Sequence, residues 1–276
     1  MDDNIKDGGN YSELRAYLDG SDEAKATANN LSRILRDELS YDGELFHMLD
    51  VGCSDGELSF SLLHGLIEMF PNFRLLGLEP ELEAYNRFVG RATGKDFLEA
   101  RNQTVQKFLE ETEQTKPEVF DYIAFIQSWY HFPREDWHFI LSGSYSLLKG
   151  NGLMIIALDS HDGEIYRLKD LIAVEKPDTI EYGDLFSVEE IEKFLDSEGV
   201  NYETVSFPIY INIKDGEDKI QRFARHLAFL YRTFPEKILA NYKAEISDLL
   251  ESNRRGKEYF IENLVKSIVI KKTQRT

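Results

Sequence analysis

The stretch from His47 to Leu63, HMLDVGCSDGELSFSLL, constrains this chain more than any other. Its first part, His47 to Val51, is a short apolar run that reads as a buried strand. Gly52-Cys53-Ser54-Asp55-Gly56 then forms a turn of small residues, after which Leu58, Leu62, Leu66 and Met69 recur at helical spacing. A strand that turns tightly into a helix leaves backbone N–H groups at the helix start without intrahelical partners, and these suit the anionic end of a small ligand. The segment is expected to cradle a cofactor.

The glycines missing from this turn, and the acid that closes the next strand, narrow the ligand. A second apolar run, Phe73 to Leu78, ends on Glu79, whose carboxylate can accept both hydroxyls of a ribose. A dinucleotide turn needs glycine at its second position to admit a pyrophosphate and at its third for close helix packing; Ser54 and Glu57 stand there instead. A ligand with a ribose and no pyrophosphate fits better, and S-adenosylmethionine is the common one. Asp50-Val51-Gly52-Cys53-Ser54-Asp55-Gly56 followed by Glu79 resembles motifs I and II of class I S-adenosylmethionine-dependent methyltransferases, with the middle glycine of the motif absent.

Strand and helix patterns alternate through the first half. Leu82, Tyr85 and Phe88-Val89 trace a helix, Lys95 to Leu98 a third strand, and Val105, Phe108 and Leu109 a helix after Thr104. Val119 to Ile126 is the most strand-like run, Trp137 to Leu148 a helix, Lys149 to Gly152 a turn, and Leu153 to Leu158 a fifth strand. This order predicts an α/β fold with a doubly wound, mostly parallel sheet, and the methyltransferase resemblance implies seven strands, Rossmann-like. Two helices are expected before the first strand, Ser21 or Asp22 capping the second. Ser187-Val188-Glu189-Glu190 resembles a capping box, Asn201 to Ile209 reads as a strand, and Glu258 to Ile270 as a final one. Residues 215–256 interrupt the sheet pattern with helix. The expected division is a cofactor-binding domain over 1–214 and 257–276 and a helical insertion over 215–256, placed to act as a substrate lid or else to thicken the core or form an oligomer contact.

Composition excludes some classes. With a net charge of −18, a nucleic-acid partner would need a concealed basic patch, and no aromatic-interleaved basic run supplies one. The single cysteine, Cys53, rules out an internal disulfide and a multi-cysteine metal site and suits a reducing compartment. The scattered histidines suggest no metal site either, and His131 and His161 read as loop residues. The start, MDDNIKDGGN, lacks the marks of a leader, and no segment has the apolar length to cross a bilayer, so a cytoplasmic protein is expected.

The whole chain resembles the histamine N-methyltransferase branch of class I. Gly9-Asn10-Tyr11 with Ser21-Asp22-Glu23 is similar to that family's entry segment, Phe125-Ile126-Gln127-Ser128-Trp129-Tyr130 to its strand-four motif, and Glu262-Asn263 before Ser267-Ile268-Val269-Ile270 to its C-terminal asparagine motif. The resemblance implies that Glu23, Gln127 and Asn263 hydrogen-bond a small amine, with Tyr11 and Tyr130 beside it, and that Gly52, Cys53, Ser54, Glu79, Thr104 and Ile126 hold the cofactor. It departs where family members carry two tryptophans and this chain has Glu164 and Leu168.

The chemistry of the trio agrees. A carboxylate neutralises an ammonium or accepts from an imidazole N–H, while two carboxamides each offer donor and acceptor. Aromatic walls favour a cation, although Trp129 equally reads as core packing and Glu23 as a charge on a helix dipole. An imidazole is largely neutral at pH 7, so its ring nitrogen can attack a sulfonium without a dedicated base. The expected activity is methyl transfer to nitrogen of a small, imidazole-like amine. An O-methyltransferase acting on a carboxylate or hydroxyl, and a non-catalytic binding protein on the same fold, remain the alternatives.

Overall fold

The computed structural model describes residues 20–40, 43–113, 119–166, 168, 187–216, 218–230 and 235–273. The first expected helix and the segment Gly9-Asn10-Tyr11 lie outside them.

The chain divides into two compact units. The first to consider takes in residues 27–158, 187–207 and 266–276. Its strands are β1 (Phe46–Val51), β2 (Phe73–Leu78), β3 (Leu98–Arg101), β4 (Phe120–Ile126) and β5 (Leu148–Asp159, whose last residue falls in the other unit). Between them run α2 (Glu57–Met69), α3 (Leu82–Ala92), α4 (Val105–Glu113) and α5 (Trp137–Leu147), after α1 (Glu23–Glu38). β1 pairs in parallel with β2, Phe46 opposite Phe73 through Val51 opposite Leu78, and with β4 on its other side. Parallel sheets are covered on both faces, which is why these strands read as near-continuous apolar runs instead of alternating ones. Met48, Leu49, Leu75, Leu76, Ile123, Ala124, Ile155 and Ile156 are all essentially inaccessible to solvent.

The full strand order is β3-β2-β1-β4-β5-β8-β6, where β6 is Glu203–Lys214 and β8 is Glu258–Lys271, with the two-residue β7 (Arg254–Arg255) paired to β8. This is the expected α/β, mostly parallel doubly wound arrangement, its order reversing at β1 and β4. Ligands of such sheets lie outside the carboxyl ends of the strands at the reversal.

The other unit comprises residues 1–26, 159–186 and 208–265. Here α7 (Lys219–Leu230) and α8 (Pro235–Ser252), which come after α6 (Val188–Ser197), share a core with Ile211, Ile213, Tyr259 and Ile261. Phe223 and Leu227 on α7, and Ile238, Tyr242, Ile246 and Leu250 on α8, recur at four-residue steps and are fully buried in it.

Three local expectations need correction. The third strand is Leu98–Arg101, not Lys95–Leu98, because Gly94 at φ 79° turns the chain out of α3 and Lys95 N–H and Leu98 N–H close back on Ala92 and Lys95 carbonyls. The segment Lys149 to Gly152 bulges within β5: Phe120 pairs with Leu148 but Tyr122 with Leu153, and Asn151 and Gly152 exchange backbone bonds with Lys272 at 2.9 Å. At Ser187 the capping box does not close. Its hydroxyl is buried without a partner, while the Glu190 carboxylate reaches out to the Arg134 guanidinium.

Candidate functional site

The turn after β1 is built from left-handed backbone. Gly52 has φ 75°, Ser54 φ 50° and Gly56 φ 82°, so three residues within five adopt a conformation that favours glycine, and Ser54 holds it without being one. What secures Ser54 is a carboxylate. Its N–H donates to Glu79 Oε2 at 2.9 Å, and Glu79 Oε1 accepts the Glu81 N–H at 2.8 Å. The acid closing β2 thus clasps the turn after β1, directly across the β1–β2 pairing.

This clasp changes the expectation of free N–H groups. Gly52 and Cys53 N–H both donate to the Leu78 carbonyl, Ser54 N–H to Glu79, Gly56 N–H to the Cys53 carbonyl at 2.9 Å and Glu57 N–H to Asp55 Oδ1 at 3.1 Å. The turn satisfies these donors internally instead of offering them to an anion. Glu79 keeps a second lone pair on each oxygen, so acceptor capacity for ribose hydroxyls survives. Asn102 Nδ2 donates to the Glu79 and Pro80 carbonyls at 2.9 and 3.0 Å and holds the backbone of this corner.

Beneath the turn lies a group of buried acids. Asp50, 3% exposed, receives a short hydrogen bond from the Ser59 hydroxyl in the first turn of α2. Burial pushes its carboxyl from 3.8 up to about 6 against the lowering effect of that bond, and the charge of Glu79 adds to the rise. Burial raises Glu79 as well, opposed by its two backbone N–H donors. Asp55, 2% exposed, is answered by Arg91 Nη2 at 2.9 Å, which ties the turn to α3. Burial holds the Cys53 thiol well above its ordinary range. Cys53 is buried with its sulfur against Gly77, 2.6 Å from where a Cβ on that glycine would stand, so its side chain packs on β2. Thr104 caps α4, its hydroxyl accepting Lys107 N–H at 3.3 Å, and Ile126 is 7% exposed at the end of β4.

After β4 the chain again takes a left-handed step, Gln127 at φ 51°, with its N–H on the Ala157 carbonyl at 2.9 Å. A single turn of 3₁₀ helix, Trp129 to His131, comes next. Tyr130 is half-buried against the exposed His131, whereas Trp129 is fully buried edge-on to Phe125, Phe132 and Trp137. Trp129 is therefore a core side chain.

Glu23 and Asn263 belong to the unit that also holds α7 and α8. Glu23 is 7% exposed at the start of α1, and its N–H donates to the Ser21 hydroxyl at 3.0 Å, the expected cap. Asn263 on β8 is fully buried, and neither Oδ1 nor Nδ2 has a partner. Gly163 lies against it: a Cβ there would stand 2.1 Å from Asn263 Oδ1. His161, in the same loop, is exposed and stacked on Tyr166. Tyr11 lies outside the described residues. Sequence reasoning missed Ser59, Asn102 and Arg91, and carried the buried Ser128 only as part of the strand-four motif; single polar side chains of this kind carry no periodic signal that marks them in advance. Among the described residues no cluster of three His, Cys, Asp or Glu could hold a metal, and no helix is long and apolar enough to cross a membrane.

The family model described as "Methyltransferase domain" matches residues 21–206. No curated protein matches the chain. Among solved structures, a methyltransferase candidate from Bacillus halodurans C-125 aligns with a TM-score of 0.56 at 14% identity, covering 89% of this chain and 100% of that one. The plantazolicin methyltransferase BpumL, solved in complex with S-adenosylhomocysteine, aligns at 0.52 and 12% identity over 96% of this chain and 90% of its own. The N-methyltransferase NodS from Bradyrhizobium japonicum WM9 aligns at 0.50 and 13% identity over 92% and 99%. At these identities the likeness is one of fold.

Proposed function

Because the chain belongs to the methyltransferase-domain family, we propose that it transfers the methyl group of S-adenosylmethionine to a nitrogen of a small amine, an imidazole amine such as histamine or a relative of it. S-adenosylmethionine is the cofactor, and Glu79 supports this reading as the acceptor of its ribose hydroxyls. The cofactor carries a net positive charge, which the buried carboxylates of Asp50 and Glu79 complement. Gly52 and Ser54 shape the turn it lies on, Thr104 and Ile126 border it, and Cys53 contributes its backbone. A protein with one cysteine and a methyl donor of this kind suits the cytoplasm.

The observation that carries the choice of acceptor is Asn263, a fully buried carboxamide with both polar ends unpartnered. Buried amides are ordinarily satisfied, and one left open costs about 1–3 kcal/mol until a partner arrives. An amine or an imidazole, each offering N–H and lone pair, supplies such a partner. We assign Glu23, Gln127 and Asn263 to orienting the acceptor. Transfer from a sulfonium to a neutral nitrogen is an in-line displacement, in which the nitrogen lone pair forms the new N–C bond as the C–S bond electrons return to sulfur. Positioning and exclusion of water then carry the rate.

The test is to incubate the protein with methyl-labelled S-adenosylmethionine and a panel of imidazole amines, small carboxylic acids and phenols. Label in an N-methyl product, diminished in Asn263→Ala, is the expected result. Label appearing only as an ester or ether would shift the reading to an O-methyltransferase, and no transfer to any acceptor alongside retained cofactor binding would favour a non-catalytic binding protein.

A further inference from the structure

Ser128 occupies the N-cap position of the 3₁₀ turn Trp129 to His131, where a serine hydroxyl ordinarily accepts a backbone N–H of the turn it precedes. It makes no such bond. The residue is 3% exposed, and its hydroxyl oxygen has no hydrogen-bond partner. It faces Gly52 instead: a Cβ added to that glycine would stand 2.6 Å from Ser128 Cβ and 3.3 Å from its Oγ. Gln127, immediately before it, is one of three non-glycine residues with positive φ among the described residues, at 51°, so the backbone delivers Ser128 to this spot through a conformation that costs free energy.

From this we infer that Ser128 is a cofactor-positioning residue whose hydroxyl donates to the carboxylate at the amino-acid end of S-adenosylmethionine. The inference rests on the proposed cofactor site and deepens it. With the ribose at Glu79 on the end of β2 and the strand order β3-β2-β1-β4, the ligand lies along the strand ends in one of two directions. The methyl group must travel toward Gln127, the residue after β4 proposed to orient the acceptor, so the sulfur lies on the β4 side of the ribose and adenine on the β3 side. The amino-acid end beyond the sulfur then falls at the ends of β1 and β4, where Gly52 and Ser128 meet. A carboxylate arriving there needs donors. The N–H groups of Gly52, Cys53, Ser54, Gly56 and Glu57 are already engaged within the turn, and the neighbouring side chains Asp50 and Glu79 are acids. The buried Ser128 hydroxyl, its proton uncommitted, supplies one.

The experiment compares two ligands by calorimetry: S-adenosylhomocysteine, which has the amino-acid end, and 5′-methylthioadenosine, which keeps the nucleoside thioether and lacks that end. Ser128→Ala is expected to bind the first about tenfold more weakly and the second within twofold of the parent, the loss of one hydrogen bond to a charged group. Its melting temperature without ligand should not fall, because no protein partner is lost; Ser128→Cys, which keeps the side-chain shape with a larger atom and a weaker donor, serves as the second variant and should lose less affinity for the first ligand alone. Equal weakening toward both ligands, or none toward either, would overturn the inference. If the parent protein bound neither ligand, the cofactor reading itself would fall and the role of Ser128 with it.

Discussion

Glu79 Oε2 accepts the backbone N–H of Ser54 at 2.9 Å, joining the end of one central strand to the strained turn that leaves its neighbour. The same carboxylate receives the Glu81 N–H, so one side chain shapes both the loop after β1 and the entry to α3. Glu79→Ala is expected to lose S-adenosylhomocysteine affinity and also stability, about 1–3 kcal/mol, because two N–H groups lose their acceptor in a buried corner. Glu79→Gln, which keeps one amide oxygen, should recover part of the stability and little of the affinity. Denaturant titration beside calorimetry separates the two effects, and a variant that lost stability yet bound the ligand normally would remove Glu79 from the ribose.

Ser54 sits at φ 50° where the family motif has glycine. A left-handed backbone costs a residue with a Cβ about 1–2 kcal/mol, and glycine gives back about 0.5–1 kcal/mol of that relief through its freer unfolded chain. Ser54→Gly is therefore expected to raise the melting temperature by a few degrees while leaving S-adenosylhomocysteine affinity in place, since the N–H that meets Glu79 is retained. A fall in melting temperature would mean that the hydroxyl contributes more than the backbone loses.

How much of this was legible in the sequence depends on the kind of signal each feature leaves. The strand at Phe73–Leu78 was readable to the residue because a parallel strand buried on both faces is a near-continuous apolar run, here interrupted by the exposed Arg74 and bounded by Asn72 and Glu79. Leu98–Arg101 was misplaced by three residues, since an edge strand half-exposed throughout has no such run and its position depends on pairing with Leu75–Leu78. The strand-turn-helix cradle and its acid were legible from small residues and spacing. That the turn consumes its own N–H groups was not, because it depends on which way the Glu79 carboxylate swings. Nor was the burial of Trp129, whose sequence neighbours are as polar as those of Tyr130; only the rings of Phe125, Phe132 and Trp137 packed around it decide the matter.

Trp129 offers a direct check of that burial. It is fully inaccessible, and its indole N–H has no partner, so the ring contributes by contact alone. Trp129→Phe is expected to cost little, since no hydrogen bond is lost, whereas Trp129→Ala should cost about 3–5 kcal/mol through the cavity it leaves. Similar losses in both variants, read by urea denaturation, would show that the indole N–H does have a partner in solution.

Gly163 tests whether Asn263 is held in place by close packing. A Cβ at Gly163 would stand 2.1 Å from Asn263 Oδ1 and 2.9 Å from the Leu264 N–H, distances no real contact permits. Gly163→Ala should push the carboxamide aside and lower the proposed amine methylation by raising KM for the amine, with S-adenosylhomocysteine affinity unchanged. If the variant kept its KM for the amine, Asn263 would have no part in acceptor binding.

Asp50 sets a pH dependence whose sign is definite. Its carboxyl is raised in the folded protein from 3.8 to about 6, so the folded state holds a proton that the unfolded chain has released. Because the folded state then binds more protons than the unfolded one, stability falls as pH rises from about 4 to about 6, and the full penalty, about 3 kcal/mol, stands above that window. Below about pH 4 both states are protonated and the penalty vanishes. Asp50→Asn removes the ionisation while its carboxamide can still meet the Ser59 hydroxyl. The variant is therefore expected to exceed the parent in unfolding free energy at pH 8 and to converge on it as pH approaches 4, the difference between the two isolating Asp50 from every other carboxylate. Urea titrations at pH 4.5, 6 and 8 measure it, and a difference that stayed constant across the three would mean that Asp50 ionises at its ordinary pH in the fold.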